Sequence, residues 1–351
     1  MCRWRLMECE NYNNLKVKMI DPCPAAHAYL CTCMNNYSAA TAVAVHSDFL
    51  SLSHLRRQEF QGILVLSADF RSRNGFGQVL QGKSVALIFE KPSLRTRVTF
   101  EVGIRQLGGW PIVLGTAESR LGEREPIQDL ARNLSCWVDG IVARVFNHHD
   151  LEDLALFASV PVVNGLSDAE HPCQAVADLL TLTDVWPSWS GKEFVYVGDW
   201  NNVSRSLWHA CSLAGLRFRA ICPEKYGPGP LEPVEWSTKP SDVKGADAIY
   251  TDVWASMGQE DELESRLEIF RPYQVNEKLI AKTGKHTFFM HCLPAHRGQE
   301  VTDSVIESDY SLVFQQAANR LAVEKAILVT VLVPGTQAES ATVKRKDGRQ
   351  L

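Results

Sequence analysis

The chain has 351 residues, of which 45% are hydrophobic and 22% charged, and its formal charge is −5. This composition excludes a chain that is mainly disordered, collagen-like or coiled-coil, and the length predicts about two domains. A pI near 6.1 argues against nucleic acid as the principal partner, because nucleic-acid-binding domains usually carry a basic surface.

The first 45 residues carry no pattern to which we assign a function. The least charged stretch, residues 22–46, is too polar to span a bilayer, and we therefore expect no membrane association. This region also lacks a signal-peptide core and the acid-poor composition of a transit peptide. We expect an N-terminal extension that is disordered or that precedes a misassigned start.

The ten cysteines include no Cys-x-x-Cys pair. That spacing is the usual sign of a structural metal site, so we predict no bound metal. A chain of this length with dispersed cysteines is typical of a reduced, cytoplasmic protein.

From residue 84 onward, short apolar runs predict strands that alternate with helical patterns. The runs are Ser84–Glu90, Trp110–Gly115, Asp139–Val145, Val160–Gly165, Glu193–Asp199, Leu216–Cys222, Ala246–Asp252 and His286–Cys292. Alternating strands and helices predict parallel sheets covered by helices on both faces. The predicted fold is therefore α/β, with two doubly wound domains, each containing a central parallel sheet, joined by interdomain helices.

A Pro/Gly/Ser-rich segment, Trp186–Gly191, predicts the break between the two domains. The first domain would comprise residues 46–186 and the second residues 187–318. The apolar run Ala317–Val333 predicts a closing helix, and we expect its part from about 319 to 333 to pack back on the first domain. Residues 334–351 read as a polar tail.

Parallel sheets bind ligands beyond the carboxyl ends of their strands, so the loops there are the candidate sites. Ser93–Arg97 follows the first strand, and its hydroxyls, arginines and free helix N–H groups suit a tetrahedral oxyanion. Arg144 ends the third strand, while His171 and Gln174 share one face at a helix start. Singly, each pattern also fits a capped helix, an ion-pair arginine or a structural histidine.

Three further loops follow strands of the second half. Gly198-Asp199-Trp200 lacks the Gly-x-Gly-x-x-Gly pattern, and Trp200 would block a pyrophosphate, which disfavours a nicotinamide dehydrogenase. The other two are 252–260 and 291–298. Cys292 in the last loop fits either a small buried hydrophobe or a reactive thiol.

Together these motifs resemble the ornithine carbamoyltransferase family, from about Phe49 to Leu328. Ser93–Arg97 and His171–Gln174 resemble its Ser-Thr-Arg-Thr-Arg and His-Pro-x-Gln motifs, which aspartate carbamoyltransferases share. Asp252-x-x-x-Ser256-Met257-Gly258 and His291-Cys292-Leu293-Pro294 resemble the ornithine branch specifically. The resemblance implies transfer of a carbamoyl group from carbamoyl phosphate to L-ornithine, as in arginine biosynthesis, without a cofactor.

The family's functional residues carry over onto matching positions of this chain. The resemblance implies catalytic roles for Arg95, Arg144, His171 and Cys292. It places the following residues at carbamoyl phosphate: Ser93, Leu94, Arg95, Thr96, Arg120, Arg144, His171, Pro172, Cys173, Gln174, Cys292, Leu293 and Arg320. It places the following at ornithine: Asn202, Asp252, Ser256 and Met257. The first domain would thus bind carbamoyl phosphate and the second ornithine.

The resemblance also implies a homotrimer or a higher homo-oligomer and a cis Leu293–Pro294 peptide bond. Arg120 would act from a neighbouring subunit, and the sequence shows no obvious acidic partner for it. Trp200 and Ala318 replace a glycine and a glutamate usual in the family, and Trp200 is expected to crowd the ornithine loop. Alternative functions are carbamoyl transfer to another amine or a modified ornithine, and non-catalytic amino-acid binding.

Overall fold

The computed structural model describes residues 48–72, 77–115, 120–255 and 262–333. These described residues all belong to one compact unit, and none of their helices combines the length and apolarity needed to cross a membrane. The expected N-terminal extension and polar tail lie outside them.

The first half of this unit is built on a parallel sheet of four strands, in the order β2-β1-β3-β4. Its strands are β1 (Ser84–Phe89), β2 (Trp110–Leu114), β3 (Gly140–Arg144) and β4 (Val162–Leu166). Its helices are α1 (Arg57–Ser72), α2 (Arg95–Gln106), α3 (Ile127–Ser135), α4 (His148–Phe157) and α5 (Pro172–Val185), after a 3-10 turn at Leu52–His54.

The second half is built on a parallel sheet of five strands, in the order β7-β6-β5-β8-β9. Its strands are β5 (Glu193–Val197), β6 (Arg217–Ile221), β7 (Trp236–Ser237), β8 (Ala248–Thr251) and β9 (Phe288–His291). Its helices are α6 (Asn202–Ala214), α7 (Leu263–Phe270), α8 (Glu277–Ala281) and α9 (Asp303–Ile306). Short 3-10 turns lie at Glu224–Tyr226, Pro240–Val243 and Arg271–Tyr273.

Both sheets are apolar on both faces. In β1, Val85 and Leu87 pack into one buried cluster while Ala86 and Ile88 pack into another. The strands of the second sheet divide in the same way between two clusters. A strand buried on both faces needs apolar side chains at every position, which explains why the strands read as continuous apolar runs.

The last helix, α10 (Val313–Leu332), packs against α1, α2 and α5 of the first half. It therefore crosses from the end of the second sheet back to the elements that carry the first cluster of motif residues. Its apolar residues, including Val323 and Ile327, belong to the largest buried cluster. The division of the chain at residues 186/187 stays a prediction.

The structure confirms the predicted α/β class and the two doubly wound parallel sheets. All eight predicted strands occur, with ends shifted by up to two residues. The sequence analysis missed β7, because two residues are too few to form a period. The closing helix begins at Val313, four residues before the apolar run that predicted it.

Truncating Ile327 tests how far α10 holds the first half together. Its side chain is 0% exposed, and a buried Ile→Ala change costs about 2–5 kcal/mol because it leaves a cavity. We expect Ile327→Ala to lower the free energy of unfolding by this amount in urea titrations. Leu231→Ala is the control, since Leu231 is 95% exposed and surface changes stay within about 0.5 kcal/mol. Equal effects would contradict the assigned packing.

Candidate active site

The first wall of the site is the loop that joins β1 to α2. Ser93 and Leu94 end this loop, and α2 begins at Arg95, so its first-turn N–H groups have no carbonyl partner within the helix. Thr96 is buried, whereas Leu94 is 73% exposed and offers the site only its backbone. Such a helix start attracts an anion.

Arg144 lies at the carboxyl end of β3, the strand beside β1. Its Nη1 donates to the Ser93 Oγ over 3.3 Å, so the neighbouring strand supplies a cation to the same loop. Burial, reinforced by the guanidinium groups of Arg320 and Arg95, lowers the pKa of Arg144 to about 10. The side chain therefore still carries its positive charge at neutral pH.

A cavity of about 220 Å³ lies beside this loop, lined by Ser93, Lys91 and Arg97 among others. The Lys91 Nζ lies 4.4 Å from the centre of the Phe146 ring. Burial, followed by the nearby Arg144, lowers the pKa of Lys91. The space next to Ser93 is thus bordered by positive charge, as binding of an anion requires.

His171 immediately precedes α5, and Pro172 occupies the first turn of that helix. The backbone N–H of His171 donates to the Ser206 Oγ over 2.8 Å, and Ser206 donates in turn to Glu170 over 3.1 Å. Because Ser206 belongs to α6, these bonds tie the His171 segment to the second half.

The imidazole of His171 is neutral. Burial, followed by the charges of Arg320 and Arg144, places its pKa well below the usual value. Its Nδ1 is buried without a hydrogen-bond partner among the described residues. A neutral imidazole still donates one N–H bond, so His171 can serve a ligand as a donor but not as a cation.

Arg320 of α10 connects the start of α2 with the start of α5. Its Nη2 donates to the Thr96 Oγ1 over 3.1 Å and its Nη1 to the Gln174 Oε1 over 2.5 Å. The Gln174 Nε2 donates to the Asp178 Oδ1 over 2.8 Å. Guanidinium groups only donate and carboxylates only accept, so these bonds fix which end of the Gln174 amide faces Arg320. Cys173, by contrast, is fully buried and donates to a backbone carbonyl.

The opposite wall is formed where β8 and β9 end side by side. The Cys292 thiol donates to the Asp252 Oδ1 over 2.9 Å, and the Asn201 side-chain amide donates to the Asp252 Oδ2 over the same distance. Burial, followed by the charge of Asp252, raises the pKa of Cys292 well above its usual value. Cys292 is therefore a thiol at neutral pH and not a nucleophilic thiolate.

The two walls face one another. Ionisation of the Cys292 thiol would oppose the lowering of the pKa values of Arg95 and Arg144 by burial. Such mutual effects require the groups to be close. The Leu293–Pro294 peptide bond that follows Cys292 is cis, as the family resemblance implies.

Three residues in this wall offer donor atoms that lie within 4.8 Å of one another and are of the kind that ligate metals: Asp252, His291 and Cys292. The His291 Nε2 already pairs with Glu300 over 3.1 Å, and its Nδ1 accepts a bond from the Leu293 N–H over 2.8 Å. Asp252 likewise accepts bonds at both oxygens. These donor atoms are already engaged in hydrogen bonds within the protein, and the thiol of Cys292 orients Asp252.

The predicted residue Asn202 does not hydrogen-bond to Asp252, the other predicted ornithine residue that the structure describes. Asn202 donates to the backbone carbonyl of Ser167 over 2.6 Å, while the adjacent Asn201, which the sequence analysis missed, contacts Asp252. The sequence does contain a signal for the position of Asn201, because Asn201 and Ser204 form the capping box at the start of α6. Ser256 and Met257 lie outside the described residues.

The prediction that Arg120 has no acidic partner is wrong, since its Nη1 lies 2.5 Å from Glu123. The Trp200 ring packs against Trp208 and Phe218, and its indole N–H donates to Glu232 over 2.8 Å. The second half accommodates this large side chain in its buried cluster.

Comparison with known proteins identifies relatives over most of the chain. A family model described as the carbamoyl-P binding domain of aspartate/ornithine carbamoyltransferase matches residues 47–184. The model of the Asp/Orn binding domain matches residues 190–331. The ornithine carbamoyltransferase of Thermococcus kodakarensis is 48% identical over 303 residues, which are 81% of this chain and 96% of that protein.

Solved structures agree with these matches. The crystal structure of ornithine carbamoyltransferase from Thermus thermophilus is similar with a TM-score of 0.76 and 44% identity, over 81% of this chain and 98% of that one. The enzyme from Pyrococcus furiosus gives a TM-score of 0.78 and 45% identity, over 83% of this chain and 99% of that one.

Alkylation tests the protonation state of Cys292. Because its thiol is protonated and donates to Asp252, we expect iodoacetamide at pH 7.5 to modify Cys136, which is exposed, more than about tenfold faster than Cys292. Peptide mass spectrometry after timed quenching measures both rates in one sample. Cys136→Ser is the control that removes the fast site. Equal labelling of the two cysteines would show that Cys292 is a thiolate.

Proposed function

Because the chain belongs to the aspartate/ornithine carbamoyltransferase family, we propose that it transfers the carbamoyl group of carbamoyl phosphate to the δ-amine of L-ornithine. The products are L-citrulline and phosphate, as in arginine biosynthesis. One observation carries this function: the cationic wall at Arg95 and Arg144 faces the hydrogen-bonded pair of Cys292 and Asp252. An anionic donor and an amino-acid acceptor can therefore meet between them.

The phosphate end of the donor binds at the start of α2. Ser93, Thr96 and the free backbone N–H groups, including that of Leu94, donate to its oxygens, while Arg95 and Arg320 neutralise its charge. Charge-assisted hydrogen bonds of this kind are about twice as strong as neutral ones. The bond from Arg320 to Thr96 supports this arrangement, because it places the cation beside the loop.

The carbamoyl group lies against Arg144, His171 and Gln174. Its oxygen gains negative charge as the amine attacks, so a preorganised donor contributes about 3–4 kcal/mol to lowering the barrier. Arg144 supplies a charged donor and His171 a neutral one. The Gln174 Oε1, already oriented by Arg320, accepts from the carbamoyl NH2.

The ornithine end lies at the opposite wall. Asp252 pairs with the α-ammonium group. The hydrogen bond from the Asn201 side chain to the Asp252 Oδ2 keeps this carboxylate in its orientation. Cys292 and Leu293 lie by the side-chain amine. The family resemblance adds Asn202, Ser256 and Met257 to this end of the site.

The reaction is a direct transfer without a covalent enzyme intermediate. The neutral δ-amine attacks the carbamoyl carbon, a C–N bond forms, and the C–O bond to phosphate breaks. The departing phosphate takes the proton that the amine loses, so charge and atoms balance. A protonated Cys292 fits this route, because no nucleophile of the protein is needed. Holding both substrates together supplies much of the remaining rate.

We further propose a homotrimer, with Arg120 acting at a neighbouring subunit's site. The outer face of α2 and the edge strand β2 carry exposed apolar side chains, a pattern typical of a buried interface. The exposed residues are Leu94, Val98, Val102, Trp110 and Ile112. The side chain of Arg120 is half exposed and stacks on Phe146, 5.2 Å from the ring centre. The cytoplasmic location stays a prediction.

A citrulline assay with purified protein tests the proposed function. We expect kcat/KM for ornithine to exceed that for putrescine, N-acetylornithine or aspartate by at least about 100-fold, because each analogue leaves a polar group of the site unpaired. Arg144→Ala is the control and should lower kcat by about 100- to 1,000-fold. A higher kcat/KM for another amine would identify that amine, instead of ornithine, as the substrate. Absence of turnover with every amine would indicate a binding protein.

Replacing Arg120 tests its part in binding carbamoyl phosphate. A hydrogen bond to a charged group contributes about 1.5–3 kcal/mol, so Arg120→Ala should raise KM for carbamoyl phosphate about tenfold or more. Arg124→Ala, in the same loop and exposed, is the control and should leave KM unchanged. Light scattering of the same samples should give three chains of 39.2 kDa. An unchanged KM would remove Arg120 from the site, and an active monomer would overturn the trimer.

A further inference from the structure

Glu324 is a buried acidic residue with no role in the transfer described above. It lies one helical turn after Arg320 in α10, and its side chain is 0% exposed while that of Arg320 is 3% exposed. Acidic side chains are almost never fully buried unless they are paired, because removing the charge from water is costly. The position of Glu324 therefore requires an explanation.

The pairing with Arg320 is close and specific. Both the Nε and the Nη2 of Arg320 donate to the Glu324 Oε1, over 3.0 and 2.6 Å. The same guanidinium reaches Gln174 through Nη1 and Thr96 through Nη2. One edge of the group is thus held by Glu324, and the remaining donors point at two residues assigned to carbamoyl phosphate.

The carboxylate also balances a concentration of positive charge. Burial lowers the pKa values of Arg95 and Arg144, and Arg320 lowers both further, so the three guanidinium groups lie within electrostatic range of one another. Burial raises the pKa of Glu324 to about 7, while Arg320 and the nearby Thr99 of α2 oppose that rise. The groups that face Glu324 thus come from α10 itself and from α2, with the Cys173 thiol of α5 also within electrostatic range.

We propose that Glu324 is a positioning residue for carbamoyl transfer: its carboxylate holds the Arg320 guanidinium in the orientation that serves Thr96 and Gln174. This inference rests on the proposed function, because it assigns Glu324 to the carbamoyl-phosphate end of that site. The arginine side chain has several rotatable bonds. A carboxylate that is hydrogen-bonded to its guanidinium group excludes the other rotamers before the ligand binds. Preorganisation of this kind improves binding without a new contact to the ligand.

Geometry and charge are separable by substitution. Glu324→Gln keeps the length and one acceptor oxygen but loses the charge, whereas Glu324→Asp keeps the charge but is one methylene shorter. If Glu324 positions Arg320, Glu324→Asp and Glu324→Ala should raise KM for carbamoyl phosphate about tenfold. Glu324→Gln should raise it only about threefold, because it keeps an acceptor oxygen in place and loses only the charge-assisted part of the bond. The KM for ornithine should change less than about twofold, because its contacts lie on the other wall.

A double-mutant cycle with Arg320→Ala gives the decisive measurement. A residue that acts through Arg320 has nothing left to position once Arg320 is gone, so adding Glu324→Ala to Arg320→Ala should leave kcat/KM within about twofold. Additive losses would overturn the proposal, as would a Glu324→Ala enzyme with the KM of the wild type. Glu59→Gln, at an exposed pair with Arg56, is the matched control and should leave the kinetics unchanged.

A binding readout separates this inference from the proposed function. Titration calorimetry with inorganic phosphate measures the same end of the site without turnover, and the dissociation constant should rise in Glu324→Ala and Glu324→Asp as KM does. If the wild type forms no citrulline with any amine, the transferase assignment fails, while the phosphate titrations still decide the role of Glu324. Circular dichroism of every variant checks folding; if Glu324→Ala does not fold, the contrast between Glu324→Gln and Glu324→Asp decides alone.

Discussion

The site depends on confining three guanidinium groups, those of Arg95, Arg144 and Arg320, to one partly buried space. Burial lowers the pKa values of Arg95 and Arg144, and the positive charge of Arg320 lowers them further. Two carboxylates offset part of this positive charge. Glu324 pairs directly with Arg320, and Asp178 accepts a hydrogen bond from Gln174, which in turn contacts Arg320. The positive charge that remains unbalanced favours binding of a phosphate dianion.

Burial also decides the protonation states that the chemistry needs. His171 is held neutral and Cys292 is held as a thiol, although their pKa values shift in opposite directions. In each case the buried environment disfavours the charged form. The site therefore combines permanent cations with neutral donors and contains no activated thiolate. This combination suits stabilisation of charge on a bound carbamoyl group better than covalent catalysis by the protein.

Much of the fold was predictable because it depends on local pattern. Strands buried on both faces read as short apolar runs, and each run from Ser84 to His291 became a strand of a parallel sheet. Two parts were not predictable for equally local reasons. β7 has only two residues, too few for a pattern, and Gln315 and Gln316 interrupt the apolar pattern near the start of α10. The observed strand ends differ from the predicted ones because hydrogen bonding to the neighbouring strand, and not apolarity, sets where a strand ends.

For the site, the sequence by itself determined which chemical groups end which strands, because a motif and the strand before it are neighbours along the chain. The alternation of apolar runs and helical patterns likewise determined the fold class. Only the tertiary structure decided their partners: Thr96 meets Arg320 across 224 positions, and Gln174 meets Arg320 across 146 positions. Such contacts follow from how helices and sheets pack, and no local spacing encodes which distant side chains packing will bring together.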